Sequence, residues 1–387
     1  MVLCCLSPGG FPFPPARCTS VELYLWHLAR ELAKQEQVLL YGHATANEGR
    51  TATGNLTLHT FPHTDSLTYL RALLTDLRQN VADHTCSPSV FHVENRLSYT
   101  PALKRLFPDT PILLNLHSNV LLRSLPQELV QKSFRCVDAL VLNSNYLQAD
   151  LLSRYSFLPK EKVTVINPGI DLAQFPDPCS ERGVALRSTM RAQLCVGPDR
   201  PVVLSVARLA PRKGIAELID AFQIVQTERP NCELWIVGGR PRDHKNSYVR
   251  SLIAKAASLP VRFFNHVPQA HLPAFYAAAD LFVCPSQQAE SFGLVNLEAA
   301  AAGLPVIASG RWGLIESVGA NAGGRLVEAY RTPAAFAAEL KTLLASPELR
   351  RQAGTAGRRF VEQRFSWCKT AQQFQALYQH MRTRKGL

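Results

Sequence analysis

Short apolar runs alternate with helical stretches along this chain, and the alternation is interrupted once. In the first half the runs VLCCLS, QVLLYG, SVFHVEN, PILLNLHS, ALVLNS and KVTVINPG are separated by other segments, among them the amphipathic stretch VELYLWHLARELAKQ. Strands of this apolar kind with helices between them give the βαβ rhythm of a parallel sheet covered on both faces. From 170 to 198 the rhythm lapses into a polar stretch, DLAQFPDPCSERGVALRSTMRAQLCVGP, which reads as only partly helical. A second series then runs through PVVLSVAR, ELWIVGG, VRFFNHV, LFVCPS, PVIAS and GGRLVEA, followed by a mostly helical tail from Thr332. The pattern predicts an α/β protein of two doubly wound parallel-sheet domains, with ligands beyond the carboxyl ends of the strands. At 387 residues the chain is long enough for two such cores.

One segment, CPSQQAESFGLVNLEAAAAGLPVIAS at 284–309, bears most directly on function. It reads as strand, loop, helix and strand, with Gly303 and Pro305 stopping the helix. Glu290 falls on the loop feeding the helix, and Glu298 falls inside it. A fully helical step between them would cover about 12 Å at 1.5 Å per residue. That is roughly the span from a sugar, across a diphosphate, to a ribose. Between the carboxylates lie the free backbone N–H groups around Phe292, Gly293 and Leu294, suited to an anion, with Gly293 allowing close approach. On spacing alone, two glutamates near a helix start more often complement the helix dipole. The upstream basic motif shifts that balance. Arg208 closes the strand PVVLSVAR and Lys213 with Gly214 opens the next helix, so these side chains share the crevice with Glu290. An Arg and a Lys there neutralise a diphosphate leaving group without a metal.

Charge narrows the partners. The chain carries a net +12, and almost all of it lies after residue 171. Such a bias suits an anionic ligand, nucleic acid or a membrane surface. Specific nucleic-acid recognition lacks any supporting motif, and the arginines Arg350, Arg351, Arg358, Arg359, Arg382 and Arg384, with Lys385, read as solvated faces of the last helices. The ten cysteines show no metal-site spacing; Cys4, Cys5, Cys195, Cys232 and Cys284 read as reduced and buried, as in a cytoplasmic protein. The start MVLCCLSPGG reads as a first strand rather than a signal peptide.

The motifs VARLAPRKG, ELWIVGG, the Glu290/Glu298 segment with FGL between, GLPVIAS, NPGIDLAQF and RFSW are together similar to those of the family-four glycosyltransferases, which have the GT-B fold of two Rossmann-like domains facing across a cleft. The resemblance spans nearly the whole chain and is strongest from Pro201 onward. It implies an acceptor-side domain at 1–172, a donor-side domain at 173–365, and a last helix at 366–387 crossing back to the first domain. It implies retaining, metal-independent transfer of a sugar from a nucleotide-diphosphate sugar, a UDP-sugar above all, with no further cofactor. By analogy Glu290 holds donor-sugar hydroxyls, Glu298 the ribose hydroxyls, and Arg208 with Lys213 the departing diphosphate. Ser291, Phe292, Gly293 and Leu294 touch phosphate or sugar, His266 and Val267 lie near the base, and His117 contacts the donor sugar. His92 reads as structural.

The resemblance also has departures. Cys18-Thr19 stands where a glycine pair is usual, with Gly9 and Gly10 as candidates for its role. Asn265 and Trp312 each replace a glycine. The acceptor implied is a glycan, lipid-linked or small-molecule hydroxyl. Phe11, Phe13, Trp26 and Leu121 suit either a lipid-linked acceptor or a core, and peripheral contact with the inner face of a membrane is compatible with this. The alternative to an enzyme is a catalytically idle scaffold of the same fold that binds a nucleotide sugar, favoured by Cys18-Thr19 and opposed by Arg208, Lys213, Glu290 and Glu298.

Overall fold

A computed structural model describes residues 1–13, 20–44, 49–62, 65–83, 87–239, 246–319 and 322–386. It divides into two compact units, Met1–Gly169 with Trp367–Leu387, and Ile170–Ser366. Cys18 and Thr19, and the side chain of Leu121, lie outside the described residues. No helix among the described residues is long and apolar enough to cross a membrane.

In the first unit the described strands are β1 (Val2–Leu6), β2 (Gln37–Ala44), β3 (Gly49–Thr53), β4 (Leu56–Pro62), β5 (Val90–Glu94), β6 (Ile112–Leu116), β7 (Ala139–Leu142) and β8 (Val163–Val165). They form one sheet in the order β3-β4-β2-β1-β5-β6-β7-β8. Alternate residues of a strand point to opposite faces. Cys4 and Leu6 accordingly join Phe91, Leu114 and Leu73 on one side, while Leu3 and Cys5 join Leu25, Leu28, Leu113 and Phe374 on the other. Both faces are dry at the centre of the sheet, which is why its central strands read as mostly apolar runs. The edge departs from the parallel expectation: β3 runs antiparallel to β4, and four of its five residues are exposed. A two-residue turn at Gly54-Asn55 makes that reversal local, with Gly54 at φ +59.

The second unit holds β9 (Val202–Val206), β10 (Glu233–Gly239), β11 (Val261–Asn265), β12 (Leu281–Cys284), β13 (Val306–Ser309) and β14 (Arg325–Val327). They make a sheet in the order β11-β10-β9-β12-β13-β14, parallel in every pair. The polar stretch after residue 170 contains a thirteen-residue helix, Glu181–Gln193, begun by the Ser180 hydroxyl accepting from Gly183 N at 3.1 Å. Its polar composition hides specific anchoring. Arg187 and Arg191 reach Asp280 at 2.7 and 3.4 Å and also donate to the carbonyls of Ala277, Ala278 and Ala279.

Three other expectations are corrected. Cys195 is exposed, in a left-handed turn at φ +53 that ends this helix. Arg358 is not simply solvated, since it donates to the carbonyls of Phe175 and Ala301. Arg350 likewise donates to Leu343 O at 2.9 Å. Phe13 is buried beside Trp26, whereas Phe11 stays 38% exposed.

The last helix, Trp367–Thr383, belongs to the first unit and lies on helix Ser20–Leu32. It buries Ala371, Phe374, Tyr378 and Met381 at steps of three or four residues, one stripe of a helix. Phe374 is fully buried, so Phe374→Ala should cost about 3–5 kcal/mol. Thermal unfolding followed by circular dichroism should show a transition lowered by several degrees; an unchanged transition would mean the helix is not part of this core.

Candidate functional site

In the second sheet the order reverses at β9: β10 lies on one side of it and β12 on the other. The helices that follow β9 and β12, Ile215–Gln226 and Leu294–Ala301, pack into the clusters on opposite faces of the sheet. The loops leaving β9 and β12 therefore diverge above the carboxyl ends of the strands, the usual position of a ligand crevice. Arg208, Arg212 and Lys213 come from the first loop, and Glu290 from the second. Lys213 Nζ donates to Glu290 Oε1, with Arg212 Nη1 at 3.5 Å and the Ser286 hydroxyl at 3.3 Å. Arg208 lies two residues past the end of β9 and is exposed.

Backbone contacts brace the two loops. Gln287 N donates to Arg212 O at 2.8 Å, and Gly313 N donates to Glu290 O at 3.0 Å. Gly214 adopts φ +71, and a Cβ there would stand 1.8 Å from Pro285 O. Gly293, at φ +95, begins helix Leu294–Ala301. Phe292 is buried, while Ser291, Gly293 and Leu294 are half-buried at that helix start. Trp312 replaces an expected glycine and takes the backbone a glycine would suit, φ +58, with its ring edge-on to Tyr330 at 5.2 Å.

Glu298 lies on helix Leu294–Ala301, and Glu290 lies in the loop before it, as expected from the sequence. The Glu298 carboxylate accepts from Tyr276 OH at 2.7 Å and from Gln269 Nε2 at 2.8 Å. Burial pushes this carboxyl above its usual range against the pull of those two donors. Burial and the Glu298 charge raise Tyr276 well above the ordinary phenol, so it remains a donor. β11 ends at Asn265, so His266 and Val267 follow the strand rather than belong to it; His266 is exposed.

In the first unit β1 occupies the corresponding position, between β2 and β5. Gly9, at φ +74, follows it; a Cβ there would meet the Tyr69 ring at 2.7 Å. Gly10 is exposed and has no such constraint. His117, just past β6, is joined to a group that the sequence reading missed. Its Nε2 lies 2.7 Å from Glu94 Oε2, and His92 Nε2 lies 2.8 Å from Glu94 Oε1. Burial alone would raise the Glu94 carboxyl, but the charge and hydrogen bond of His117 and the bond from His92 bring it down to about 2. Glu94 gave little signal: its spacing puts it on the same strand face as His92, but only the sheet register sets it beside Asn115 and His117. Arg212 sat inside a motif already singled out. Tyr276 and Gln269 gave no local signal, because the fold alone brings them to Glu298. Among the described residues no three His, Cys, Asp or Glu side chains are grouped to hold a metal ion.

Two α/β units built on largely parallel sheets, with opposed charges over the strand ends of the second, define the class of doubly wound folds. The comparisons narrow it. Residues 187–360 match the model of the glycosyl transferases group 1, and residues 21–174 match that of Glycosyltransferase Family 4. The chain belongs to the group 1 glycosyltransferases of family 4 and has the GT-B fold. Spore coat protein SA of Bacillus subtilis (strain 168) is 27% identical over 99% of this chain and 100% of its own. The D-inositol 3-phosphate glycosyltransferase of Jonesia denitrificans is 34% identical over 63% of this chain and 57% of its own. Among solved structures, sucrose-phosphate synthase from Thermosynechococcus elongatus superposes with a TM-score of 0.79 at 23% identity over 98% of both chains. Anabaena HepE in complex with UDP gives 0.76 at 22% identity, over 98% of this chain and 100% of its own.

Two outcomes test this geometry. Gly214→Ala would drive a methyl group into Pro285 O and force a left-handed alanine, so it should lower the melting temperature and separate Lys213 from Glu290. A variant as stable as the parent would show that the loops are not braced here. The Glu94 carboxyl is depressed from the ordinary ~4.3, so its contribution to stability is present above that value and lost as pH falls through about 4 to 2. Glu94→Gln should flatten the acid limb of the stability curve in that window, measured by urea unfolding between pH 6 and 2.5.

Proposed function

We propose that this protein transfers a sugar, with retention, from a nucleotide-diphosphate sugar to a hydroxyl acceptor, and that a UDP-sugar is the donor. The observation that carries this reading is the Lys213–Arg212–Glu290 cluster above the strand-order reversal, beside the helix start at Gly293. Without ligand the Glu290 carboxylate balances the cations. A diphosphate arriving there offers Lys213, Arg212 and Arg208 a stronger, doubly charged partner, which releases Glu290 to accept hydrogen bonds from the sugar hydroxyls. The backbone N–H groups at Gly293 and Leu294 add donors to the phosphates. Glu298, with two acceptor positions used by Tyr276 and Gln269, keeps others for a ribose diol. The UDP complex of HepE supports uracil as the base.

In the transfer the bond from the anomeric carbon to the diphosphate breaks, and the bond to the acceptor oxygen forms on the same face. The acceptor's proton passes to the departing phosphate oxygen. Lys213, Arg212 and Arg208 stabilise the charge that develops on that leaving group, a role needing preorganised cations at a fixed distance. We assign no metal to this step. A glycan, a lipid-linked sugar or a small polyol supplies the acceptor hydroxyl, and the work is cytoplasmic or at the inner face of a membrane. A second reading, a scaffold that binds a nucleotide sugar without turnover, is favoured by the full-length relative's name as a coat protein.

Ligand-observed NMR against UDP-, GDP- and ADP-sugars, following binding and slow hydrolysis, separates the two. The expected result is binding of a UDP-sugar with turnover that Glu290→Ala lowers by at least ~100-fold and that EDTA leaves unchanged. Binding without turnover, even with acceptors present, would establish the scaffold. Absence of binding by every sugar nucleotide would overturn the site.

A further inference from the structure

The first unit contains a chain of polar side chains that ends on His117. Tyr378 OH, from the last helix, lies 2.5 Å from His92 Nδ1. His92 Nε2 lies 2.8 Å from Glu94 Oε1, and Glu94 Oε2 lies 2.7 Å from His117 Nε2. Asn115 Nδ2 adds a third donor to Glu94 at 3.1 Å. Tyr378, His92 and Glu94 are fully buried, and His117 is the member that reaches the surface, its side chain 12% exposed. A second route runs from the same helix. Trp367 stands edge-on to Tyr24 at 5.1 Å, and Tyr24 stands edge-on to His117 at 4.4 Å.

Hydrogen-bond chemistry fixes the protons in this chain. An ionised carboxylate only accepts, so both imidazoles facing Glu94 must carry hydrogen on Nε2. The Glu94 carboxyl, held low by its bonds from His117 and His92 and facing a third donor in Asn115, is ionised in the neutral range. Tyr378 is raised well above the ordinary phenol by burial, with the neighbouring Cys5, Tyr24 and Glu94 adding to the effect, so it keeps its hydrogen. It donates that hydrogen to His92 Nδ1. In the neutral ring of His117, Nδ1 is then a lone pair, and it has no protein partner among the described residues.

We infer that Glu94 is a positioning residue: with His92 and Tyr378 behind it, it holds His117 in one orientation and in the Nε2–H form, so that Nδ1 is presented to substrate as an acceptor. The ligand group it takes is therefore a hydroxyl that donates. In the serine protease triad a buried carboxylate that sets the histidine's tautomer and orientation and stabilises its charged form is worth about 10⁴ in kcat. This inference rests on the transferase reading only for its kinetic consequence; the tautomer is a property of the free protein.

The test uses the full-length, ¹⁵N-histidine-labelled protein at about pH 9, where imidazoles are neutral, read by long-range ¹H–¹⁵N correlation. The expected spectrum shows His117 and His92 as Nε2–H tautomers. In Glu94→Gln the amide oxygen stays on the side of the two donors His92 and Asn115 and its NH₂ faces His117, which should lose its single tautomer. Tyr378→Phe should shift the His92 Nδ1 resonance and leave the His117 tautomer in place. Where transfer is observed, Glu94→Gln should lower kcat at least ~10-fold with donor KM within about threefold. An Nδ1–H tautomer for His117 in the parent protein would overturn the inference, as would an unchanged His117 spectrum in Glu94→Gln. Should Glu94→Gln not fold, the parent and Tyr378→Phe spectra still decide it. If the parent protein transfers no sugar, the transferase reading falls while these spectra still judge Glu94.

Discussion

A parallel sheet that reverses its strand order cannot cover its own carboxyl end at the point of reversal. The chain leaves β9 for one face and β12 for the other, and the two loops part. Whatever occupies the space between them must satisfy strand-end and helix-start polar groups without a continuous backbone ladder. This protein fills it with opposite charges from the two loops, Lys213 and Arg212 against Glu290. The arrangement tolerates little slack. Gly214 has Pro285 O where its side chain would begin, and Gly313 has Ser291 O within 1.9 Å of the same position. Backbone close enough for such contact fixes the charged ends of long, otherwise adaptable side chains.

Three carboxylates show how differently one chemical group can be held. Glu94 is buried with three fixed donors on its two oxygens, and nothing about it is exchangeable without disturbing the core. Glu298 has two neutral donors and unused acceptor capacity, so burial raises its pKa rather than lowering it. Glu290 faces cations on flexible stems that a stronger anion can draw away. The gradation follows from partner type: rigid imidazoles and amides lock a carboxylate, while Lys and Arg leave it free to change partners. Locking suits a support, and exchange suits a group that must meet a ligand.

The alternation of runs made the second sheet and six strands of the first legible, because strands dry on both faces are mostly apolar; β3 and β4, polar and partly exposed at the edge, gave no such run. The 284–309 segment was equally clear, since Gly303 and Pro305 end its helix by local sterics. What escaped the sequence depended on distant partners. Helix Glu181–Gln193 read as a polar, only partly helical stretch, and only Asp280 and the carbonyls near it reveal what Arg187 and Arg191 hold. Cys195 looked like core because its neighbours are apolar, although a left-handed turn directs it outward. Glu94 looked ordinary because a lone acid in a strand says nothing until its register partner, Asn115, and the residue two further on, His117, are set beside it.

Trp312 extends the same argument to a residue that breaks a local rule. A left-handed backbone costs a non-glycine residue roughly 1–2 kcal/mol, and a tryptophan gains nothing from it locally. Its edge-on contact with Tyr330 is worth about 0.5–1.5 kcal/mol beyond area burial, and Tyr330 is itself covered by Arg311 and Arg331. The two terms are of the same size, so the strain is offset by the packing that accompanies it. A glycine in that place would adopt the same backbone freely and would also leave it freely. The aromatic pair instead ties the turn to the hydrophobic cluster under β13 and β14, and the next residue, Gly313, is the one whose N–H holds the Glu290 carbonyl. The departure from glycine thus trades backbone ease for a fixed position of the loop that carries Glu290.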